Sequence, residues 1–447
     1  MKALLSLACC LGLAASACAG AGDTGGGSGT TLSVAIVSNS QMQDAQKLVP
    51  IFEKEHPGIK VHFISLPENE ARAKITASVA TKSGEFDVAM ISNYETPLWA
   101  KNDWLVNLSP YIAKTPGYDA QDFIGPIRQS LSYQNNLYSV PFYGESSFLM
   151  YRKDLFAKAG LTMPEHPTWQ QVEQFAAKLD DPKKNLNGIC LRGDPGWGEV
   201  LAPLDTVINT FGGRWFDQKW NAQLDSPTVI SAVQFYTDLI KKYGEPGAAQ
   251  AGFSECATQF GQGNAAMWYD ATSAVSSVED PQSSTVSGKV GYAQAPVVKT
   301  KSSGWLYTWS LAIPKTSRNK DAAWQFMSWM TSKDYMKLVG QKLGWSHVPP
   351  GSRLSTYQLP QYKKIATAFA KPTLEAIQSA DAQHPTVDPV PYTGVQFVDI
   401  PEFQDLGTRV SQQISAIIAG QKSVRSAMKQ SQDYAQTVGD TYAKGNS

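Results

Sequence analysis

Apolar and polar residues alternate near the start of the chain in a pattern that predicts strands separated by helices. Leu32, Val34 and Ile36 are spaced two apart among small or polar neighbours, which is the period of a strand. Three β-loop-α units in succession predict a mostly parallel sheet covered by helices on both faces. The predicted elements of this part are strands at 32–36, 59–63 and 86–91 and helices at 42–55 and 66–81.

Each predicted unit also places a polar or aromatic side chain at the same edge of this sheet. Asn39 follows the first strand, Glu70 lies in the first turn of the second helix, and Tyr94 follows the third strand. Open α/β sheets bind ligands at the carboxyl ends of their strands, although the helix dipole alone also favours a carboxylate at Glu70. The repetition predicts a ligand cleft at this edge.

The segment 140–161 is predicted to carry the chain into a second lobe. Tyr143, Glu145 and Ser146 precede an apolar run that has the bulk of a buried strand, and a short helix follows that ends at Gly160. A polar cluster between an aromatic turn and a buried strand is typical of a crossing that presents its side chains to a cleft.

The second half of the chain supplies further polar and aromatic side chains in loops or beside predicted strands. They are Arg192, Trp197, Asp270, Trp305, Trp309, Tyr392 and Gln396. Helices are predicted at 168–179, 229–243, 253–267 and 322–330, and strands at 188–191, 266–268, 289–297 and 305–314. Carboxylates and guanidinium groups bind hydroxyls strongly, and aromatic rings cover C–H surfaces. Together these side chains favour a cleft for a neutral polyhydroxy compound.

Structural roles explain several of the same residues and stay open at this point. Glu145 and Arg192 also fit an ion pair, and Asp270 also fits the cap of a following helix. Trp305 and Trp309 are four residues apart, so on a strand they share one face. Core packing explains that spacing as well as contact with a ligand does.

Composition excludes several classes of partner. The chain has 447 residues, which favours two domains or lobes, and its 39 Lys and Arg balance 39 Asp and Glu. A chain without net charge is not expected to bind nucleic acid or an anionic membrane surface.

The first thirty residues have the pattern of an export signal followed by a tether. Residues 1–17 read as a signal peptide, and Cys18 follows small residues as in a lipidation site. Residues 18–30 form a flexible Gly-rich tether. We therefore predict an exported protein held at the cell membrane by a lipid anchor only. In the exported chain Cys190 and Cys256 either form one disulfide or stay as two buried thiols.

Motifs for catalysis, metals and cofactors are missing from the sequence. The five His residues stand apart, and neither a metalloprotease helix, a nucleophile elbow nor a phosphate-binding loop is present. A glycosidase needs two facing carboxylates, and Glu145 with Asp270 is the pair that this chain offers. We predict that the protein is not an enzyme and needs no metal or cofactor.

Separate motifs spread over nearly the whole chain after the tether point to one family. They are VPFYGESSFLMYRKDLFAKAGL (140–161), CLRGDPGWGE (190–199), NTFGGRWFD (209–217), MWYDAT (267–272), WLYTWSLAIP (305–314), GWSHVPPG (344–351), HPTVDPVPYTGVQF (384–397) and IPEFQ (400–404). The sequence resembles the sugar-type solute-binding proteins of bacterial ABC importers, in the branch that binds linear polyols such as sorbitol and mannitol. Two departures are Pro50, within a predicted helix, and Asn264-Ala265, where the family has Cys-Gly.

The resemblance implies a two-lobed α/β periplasmic-binding-protein fold of the type II, maltose-binding-protein-like kind. The N-terminal lobe would be 31–142 and 297–331, and the C-terminal lobe 143–296 and 332–447. The chain would cross between them near Phe142, Val297 and Thr331. Polar contacts with the ligand would come from Asn39, Tyr94, Glu145, Arg192 and Asp270, and stacking rings from Trp197 and Trp309.

The implied function is capture of a linear sugar alcohol by hinge closure and its delivery to an ABC permease. The ligand would be sorbitol, mannitol, xylitol or arabitol, and the protein would act as a monomer. The alternatives are a receptor for a mono- or disaccharide and a secreted carbohydrate hydrolase.

Overall fold

The computed structural model describes residues 29–445. The predicted signal peptide, the predicted lipidation site Cys18 and residues 19–28 of the predicted tether lie outside this part. Within it, no helix combines the length and the apolar character needed to cross a membrane.

Ten strands and seventeen α-helices are found in residues 29–445. The strands are β1 Thr30–Val37, β2 Ile59–Leu66, β3 Val88–Ser92, β4 Ser132–Tyr133, β5 Asn136–Leu137, β6 Ser139–Glu145, β7 Ser147–Arg152, β8 Met267–Ala271, β9 Val290–Gln294 and β10 Tyr307–Ala312. The first nine helices are α1 Ser40–Glu55, α2 Glu68–Ala80, α3 Glu95–Lys101, α4 Ser109–Ala113, α5 Gly125–Ser130, α6 Lys153–Lys158, α7 Trp169–Leu179, α8 Leu201–Thr210 and α9 Pro227–Tyr243. The others are α10 Phe253–Gly261, α11 Val275–Val278, α12 Lys320–Met330, α13 Lys333–Lys342, α14 Pro360–Ile365, α15 Ala370–Ser379, α16 Phe403–Ile418 and α17 Val424–Gly445.

The first three βα units are present as predicted and supply three strands of a five-stranded sheet. Its order is β2-β1-β3-β10-β6, with β1 parallel to both β2 and β3. Strand β10 pairs antiparallel with β3 and β6. The carboxyl ends of β1 and β6 and the start of β10 therefore meet at one edge of the sheet.

A second, three-stranded sheet has the order β8-β7-β9 and is antiparallel throughout. Glu145 pairs with Tyr307 in the first sheet, and Ser147 pairs with Ala271 in the second. Ser146 is thus the residue at which the chain passes between the sheets. The chain returns between β9 and β10, so two connecting segments lie side by side beneath the edge where the cleft opens.

The helix α1 shows how the local sequence places one wall of this edge. Asn39 accepts a hydrogen bond from the Met42 backbone N–H at 2.9 Å and caps the helix. Pro50 lies within the helix but on its exposed face, where water can bind the Gln46 carbonyl that lacks its helical donor. The unexpected proline is therefore accommodated without loss of the buried face.

Three predicted elements differ from the structure in ways that affect the cleft. The strand predicted at 188–191 is wrong, because only Cys190 bridges to Trp268 while the neighbouring Ile189 N–H donates to Tyr243. The helix predicted at 253–267 ends at Gly261, and Gly263 follows with a φ of 87°. Strand β10 begins only at Tyr307, after Trp305.

Cys190 and Cys256 form a disulfide, which resolves the alternative that the sequence left open. The bond joins the segment that leads into Arg192 to the helix α10. The Glu245 carboxylate lies 3.4 Å from the Cys190 sulfur, and all three side chains are buried. The disulfide therefore anchors the base of one side of the cleft.

We expect the double variant Cys190→Ala/Cys256→Ala to be less stable by about 2–5 kcal/mol, since the bond closes a long loop in the unfolded chain. The two cysteines are 66 residues apart. Urea unfolding under non-oxidising and non-reducing conditions measures the loss. As a control, a reductant should lower the midpoint of the wild type and leave that of the variant unchanged. Equal midpoints of the two proteins without reductant would contradict a structural role for the bond.

Candidate functional site

A cavity of about 300 Å³ lies between the edge of the five-stranded sheet and the end of β8. This volume is at the lower end of the range for small-molecule sites, about 300–1,000 Å³. Most residues predicted to bind a ligand line it. They are Asn39, Glu70, Tyr143, Glu145, Arg192, Trp197, Trp305, Trp309 and Gln396.

Four of the predicted ligand-binding residues lie outside the cavity wall. The Tyr94 hydroxyl donates to the Ile400 carbonyl at 2.9 Å, and the Tyr392 hydroxyl accepts from the Trp215 N–H. Ser146 lies at the crossing between the sheets, and Asp270 lies directly behind Arg192. Tyr94, Tyr392 and Asp270 are thus bonded to other residues of the protein, and contact of any of the four side chains with a ligand stays a prediction.

The Arg192 guanidinium is fixed by a two-pronged ion pair with Asp270. Its Nε and Nη2 atoms donate to the two carboxylate oxygens at 2.9 and 2.5 Å. Asp270 also accepts from the Trp268 indole and the Ala271 backbone N–H. All its accepting positions are thus taken, so Asp270 orients Arg192. Asp270 is therefore not free to act as the second carboxylate that a glycosidase would need beside Glu145.

Glu199 stands on the other side of Arg192. Its carboxylate accepts from the Phe253 N–H at 3.1 Å and lies 3.4 Å from an Arg192 nitrogen. Burial, with the nearby charge of Glu68 as the second cause, raises the pKa of Glu199 to about 8. At neutral pH this carboxyl group is therefore mostly protonated in the folded protein.

Glu145, at the end of β6, is another carboxyl group of the cavity with a raised pKa. Burial raises its pKa to about 7, against the opposing effects of a Ser273 hydrogen bond and the Arg192 charge. Ser273 follows β8 and donates its hydroxyl proton to Glu145. This bond joins the end of the first sheet to the end of the second.

Arg72 of α2 lies in the cavity wall, but it was not predicted from the sequence as a site residue. Its guanidinium donates to Glu68 at 2.8 Å and to Glu95 at 3.2 Å. The guanidinium carbon lies 4.2 Å from the ring centre of Trp197 and 4.5 Å from that of Trp309. The two indoles that were expected to stack on a ligand thus have a cation over one face.

Other residues of the cavity wall were also not predicted, although some of their neighbours in the sequence were. They include Gln41, Glu68, Asn69, Glu199, Ser273 and Tyr307. Glu68 and Asn69 share the first helical turn with Glu70, and Glu199 ends the motif that contains Arg192. A spacing of four between Glu68 and Arg72 was a usable signal, but it is equally typical of a surface helix.

Hydrogen bonds join the two sides of the cleft directly. The Gln41 amide donates to the Ser273 carbonyl at 3.1 Å, and the Asn69 amide donates to the Pro195 carbonyl at 3.0 Å. A Cβ atom on Gly196 would lie 2.6 Å from the Asn69 side-chain oxygen. The glycines flanking Trp197 therefore allow its loop to approach α2 closely.

Two residues of the cavity wall carry a buried polar atom without a partner among the described residues. They are the indole nitrogen of Trp305 and the side-chain oxygen of Gln396. The Gln396 nitrogen donates to the Leu306 carbonyl at 3.1 Å, which orients its oxygen. One donor and one acceptor thus remain unused in the wall.

The family model described as "Bacterial extracellular solute-binding protein" matches residues 38–337. This chain belongs to that family. The extracellular solute-binding proteins bind solutes rather than convert them, which confirms the prediction that the chain is not an enzyme. The family also agrees with the prediction of an exported protein.

Two relatives are similar to this solute-binding protein over nearly its full length. The mannitol-binding protein of Pseudomonas aeruginosa is 44% identical over 403 residues, which cover 90% of this chain and 91% of the relative. An ABC transporter solute-binding protein of Agrobacterium vitis S4, solved with bound D-mannitol, is 49% identical with a TM-score of 0.89. That comparison covers 93% of this chain and 99% of the other.

The fold of this solute-binding protein is also found in a solved structure of much lower sequence identity. Maltose-bound MalE3 of T. maritima has a TM-score of 0.77 at 20% identity, covering 91% of this chain and 99% of that chain. The prediction of a maltose-binding-protein-like α/β fold is therefore confirmed.

We expect Asp270→Asn to destabilise the protein by about 3–5 kcal/mol, because it leaves the buried Arg192 without its main counter-charge. The side chains of Asp270 and Arg192 are 0% and 5% exposed. Urea unfolding measures the change. Asp405→Asn is the matched control, since it breaks an exposed pair with Arg409 and should cost at most about 1 kcal/mol. Equal small losses in the two variants would show that the Asp270 pair does not support the fold.

We expect stability to depend on the ionisation of Glu199 in a defined pH window. Between its ordinary pKa of 4.5 and its raised pKa of about 8, the folded protein holds a proton that the unfolded chain has released. The resulting stabilisation is present at low pH and is lost as pH rises through this window, by up to about 1.4 kcal/mol per pH unit. Glu199→Gln, which does not titrate, should therefore gain in melting temperature relative to the wild type from pH 5 to pH 9.

Thermal unfolding at one-unit pH intervals provides the measurement. Glu145→Gln is the internal comparison, and its gain should level off about one pH unit lower, since the pKa of Glu145 is raised to about 7. If the melting temperatures of Glu199→Gln and the wild type differ by the same amount at every pH in this range, the raised pKa of Glu199 is contradicted.

Proposed function

We propose that this solute-binding protein captures a linear sugar alcohol, with D-mannitol as the first candidate, and delivers it to the permease of an ABC importer. The observation that carries the proposal is its 49% identity to a protein solved with bound D-mannitol, over 93% of this chain. The mannitol-binding relative at 44% identity supports the same ligand class.

The chemistry of the cavity supports a neutral ligand rich in hydroxyl groups. Six carboxyl groups and two guanidinium groups line it: Glu68, Glu70, Glu145, Asp194, Glu199, Glu255, Arg72 and Arg192. Hydroxyls both donate and accept, so they can bind either kind of group, whereas an anionic ligand would meet an excess of carboxylates. A sugar alcohol has a hydroxyl on every carbon and suits such a wall.

The unused donor of Trp305 and the unused acceptor of Gln396 add specific positions to this picture. Both atoms are enclosed in the free protein, so this proposal includes an adjustment of the wall on binding. A ligand hydroxyl can then accept from the first and donate to the second, which removes the cost of leaving either atom without a partner. We include both residues with Glu145 and Arg192 in the proposed ligand contacts.

Capture by closure follows from the position of the cavity between the two sheets. Glu145 and Trp309 come from strands of the first sheet, and Arg192 comes from the segment that bridges to β8 of the second. A ligand that bonds both sides stabilises the closed arrangement over an open one. The proposal also includes the lobe boundaries predicted from the sequence and the lipid anchor on Cys18. We further propose that the protein acts as a monomer and that its partner is the permease.

A binding screen with the mature chain tests the function. Calorimetry and thermal unfolding should be run with D-mannitol, D-sorbitol, xylitol, D-arabitol, D-mannose, D-glucose and maltose. We expect one-to-one binding of at least one linear polyol. At one hundred times its dissociation constant, the ligand should stabilise the protein by about 2.7 kcal/mol. Binding of cyclic sugars alone would overturn the polyol assignment, and turnover of any of these compounds would overturn the binding role.

A paired variant in the same screen tests the site. Trp305→Phe keeps a ring but removes the N–H, and should weaken polyol binding by about fivefold or more. Because Trp305 is buried, the smaller ring should also lower the melting temperature of the free protein, so affinities are compared at a temperature where both variants are folded. Trp324→Phe is the control, because its indole donates to Thr115 away from the cavity. Equal affinities of the two variants would exclude Trp305 from the proposed contacts.

A further inference from the structure

The faces of the two tryptophans nearest the cavity are covered by Arg72. The guanidinium lies over both rings, 4.2 Å from the centre of Trp197 and 4.5 Å from that of Trp309. Trp197 and Trp309 are 3% and 5% exposed. Both rings therefore contribute edges to the cavity wall rather than open faces.

The rest of the Trp197 surface is also occupied. The rings of Tyr94, Phe397 and Phe403 lie 4.9, 6.4 and 6.1 Å from it, centre to centre. A Cβ atom on Gly407 of α16 would come within 2.8 Å of the Trp197 Cβ. Rotation of the indole toward a ligand would require displacement of these neighbours.

Arg72 itself is held in place by three partners that use most of its donors. Two of its nitrogens donate to Glu68, one to Glu95, and the Tyr307 hydroxyl accepts another bond. Glu95 is in turn fixed by the backbone N–H and the hydroxyl of Ser92. The guanidinium is thus a rigid part of the wall that spans the cleft.

The third tryptophan of the cavity offers no open face either. Trp305 is 1% exposed, with the Tyr269 ring 6.3 Å from its centre and the Arg192 guanidinium 6.0 Å away. The three tryptophans of the cavity wall therefore present ring edges rather than open faces to a ligand.

We propose that Arg72 determines specificity by covering the indoles of Trp197 and Trp309, so that the cleft accepts acyclic polyols and rejects pyranose rings. A pyranose has a flat C–H face, which gains most when it stacks on an open aromatic face. An acyclic polyol has no fixed flat face and binds through its hydroxyls. Covering the rings removes the stacking surface that stabilises a bound pyranose, and it leaves the hydroxyl contacts of a linear polyol in place. This inference rests on the proposed function and explains its selectivity.

The test compares D-mannitol with methyl α-D-mannopyranoside, which is locked as a ring. Dissociation constants are measured by calorimetry for the wild type, Arg72→Ala and Arg72→Lys. The lysine variant keeps the positive charge beside Glu68 and Glu95 but loses the planar group that covers the rings. We expect the wild type to prefer mannitol strongly, and both variants to narrow the ratio of the two constants by about tenfold or more. Arg409→Ala, an exposed arginine on α16, should leave the ratio unchanged.

Each outcome separates this inference from the proposed function. A wild type that binds no polyol contradicts the proposed function itself. A wild type that binds mannitol, with the same ratio in both Arg72 variants, contradicts only the role of Arg72. If thermal unfolding shows that neither variant is folded, the affinities of the wild type provide the test. Comparable affinities for mannitol and the locked pyranoside would contradict the claim that the covered indoles reject a ring.

Discussion

The buried ion pair between Arg192 and Asp270 is the interaction on which the cleft depends. Asp270 lies near the end of a strand of the second sheet and uses all its accepting positions on Arg192, the Trp268 indole and the Ala271 backbone N–H. A guanidinium without water needs such a partner, and its fixed plane then orders the groups around it. Glu199 and the carbonyl of Gly198 are positioned against the same guanidinium. The disulfide between Cys190 and Cys256 fixes the segment that carries Arg192.

Much of the fold follows from patterns that are local in the sequence. The alternation at Leu32, Val34 and Ile36 and the helical spacing after it specify the βα units, and three such units lead to a parallel sheet. Errors occur where the outcome depends on partners distant in the chain. Segment 188–191 has the residues of a strand but bonds in part to the end of α9, and Trp305 lies before β10 rather than in it. Its backbone N–H donates to the Ser147 hydroxyl.

The site was predictable where loops follow strands and less so where helices face it. Glu145, Arg192 and Trp305 were predicted because polar or aromatic residues at the ends of predicted strands point to a cleft. The prediction of Arg192 held although the strand predicted before it is wrong. Asp270 was found by the same reasoning, yet its place behind Arg192 depends on two segments 78 residues apart. Arg72 was missed because Glu68 and Arg72 look like an ordinary helical ion pair. Only the folded chain brings Trp197 over it, 125 residues later in the sequence.

A crystal structure of this protein with D-mannitol tests the central claim most directly, since that claim concerns how charged groups rather than aromatic faces hold the ligand. The account predicts an extended polyol bonded to Glu145, Arg192, Trp305 and Gln396, with the Arg72 guanidinium still between Trp197 and Trp309. A ligand stacked on the face of either indole, with Arg72 displaced, would contradict it. So would a ligand bound outside the cavity between the two sheets.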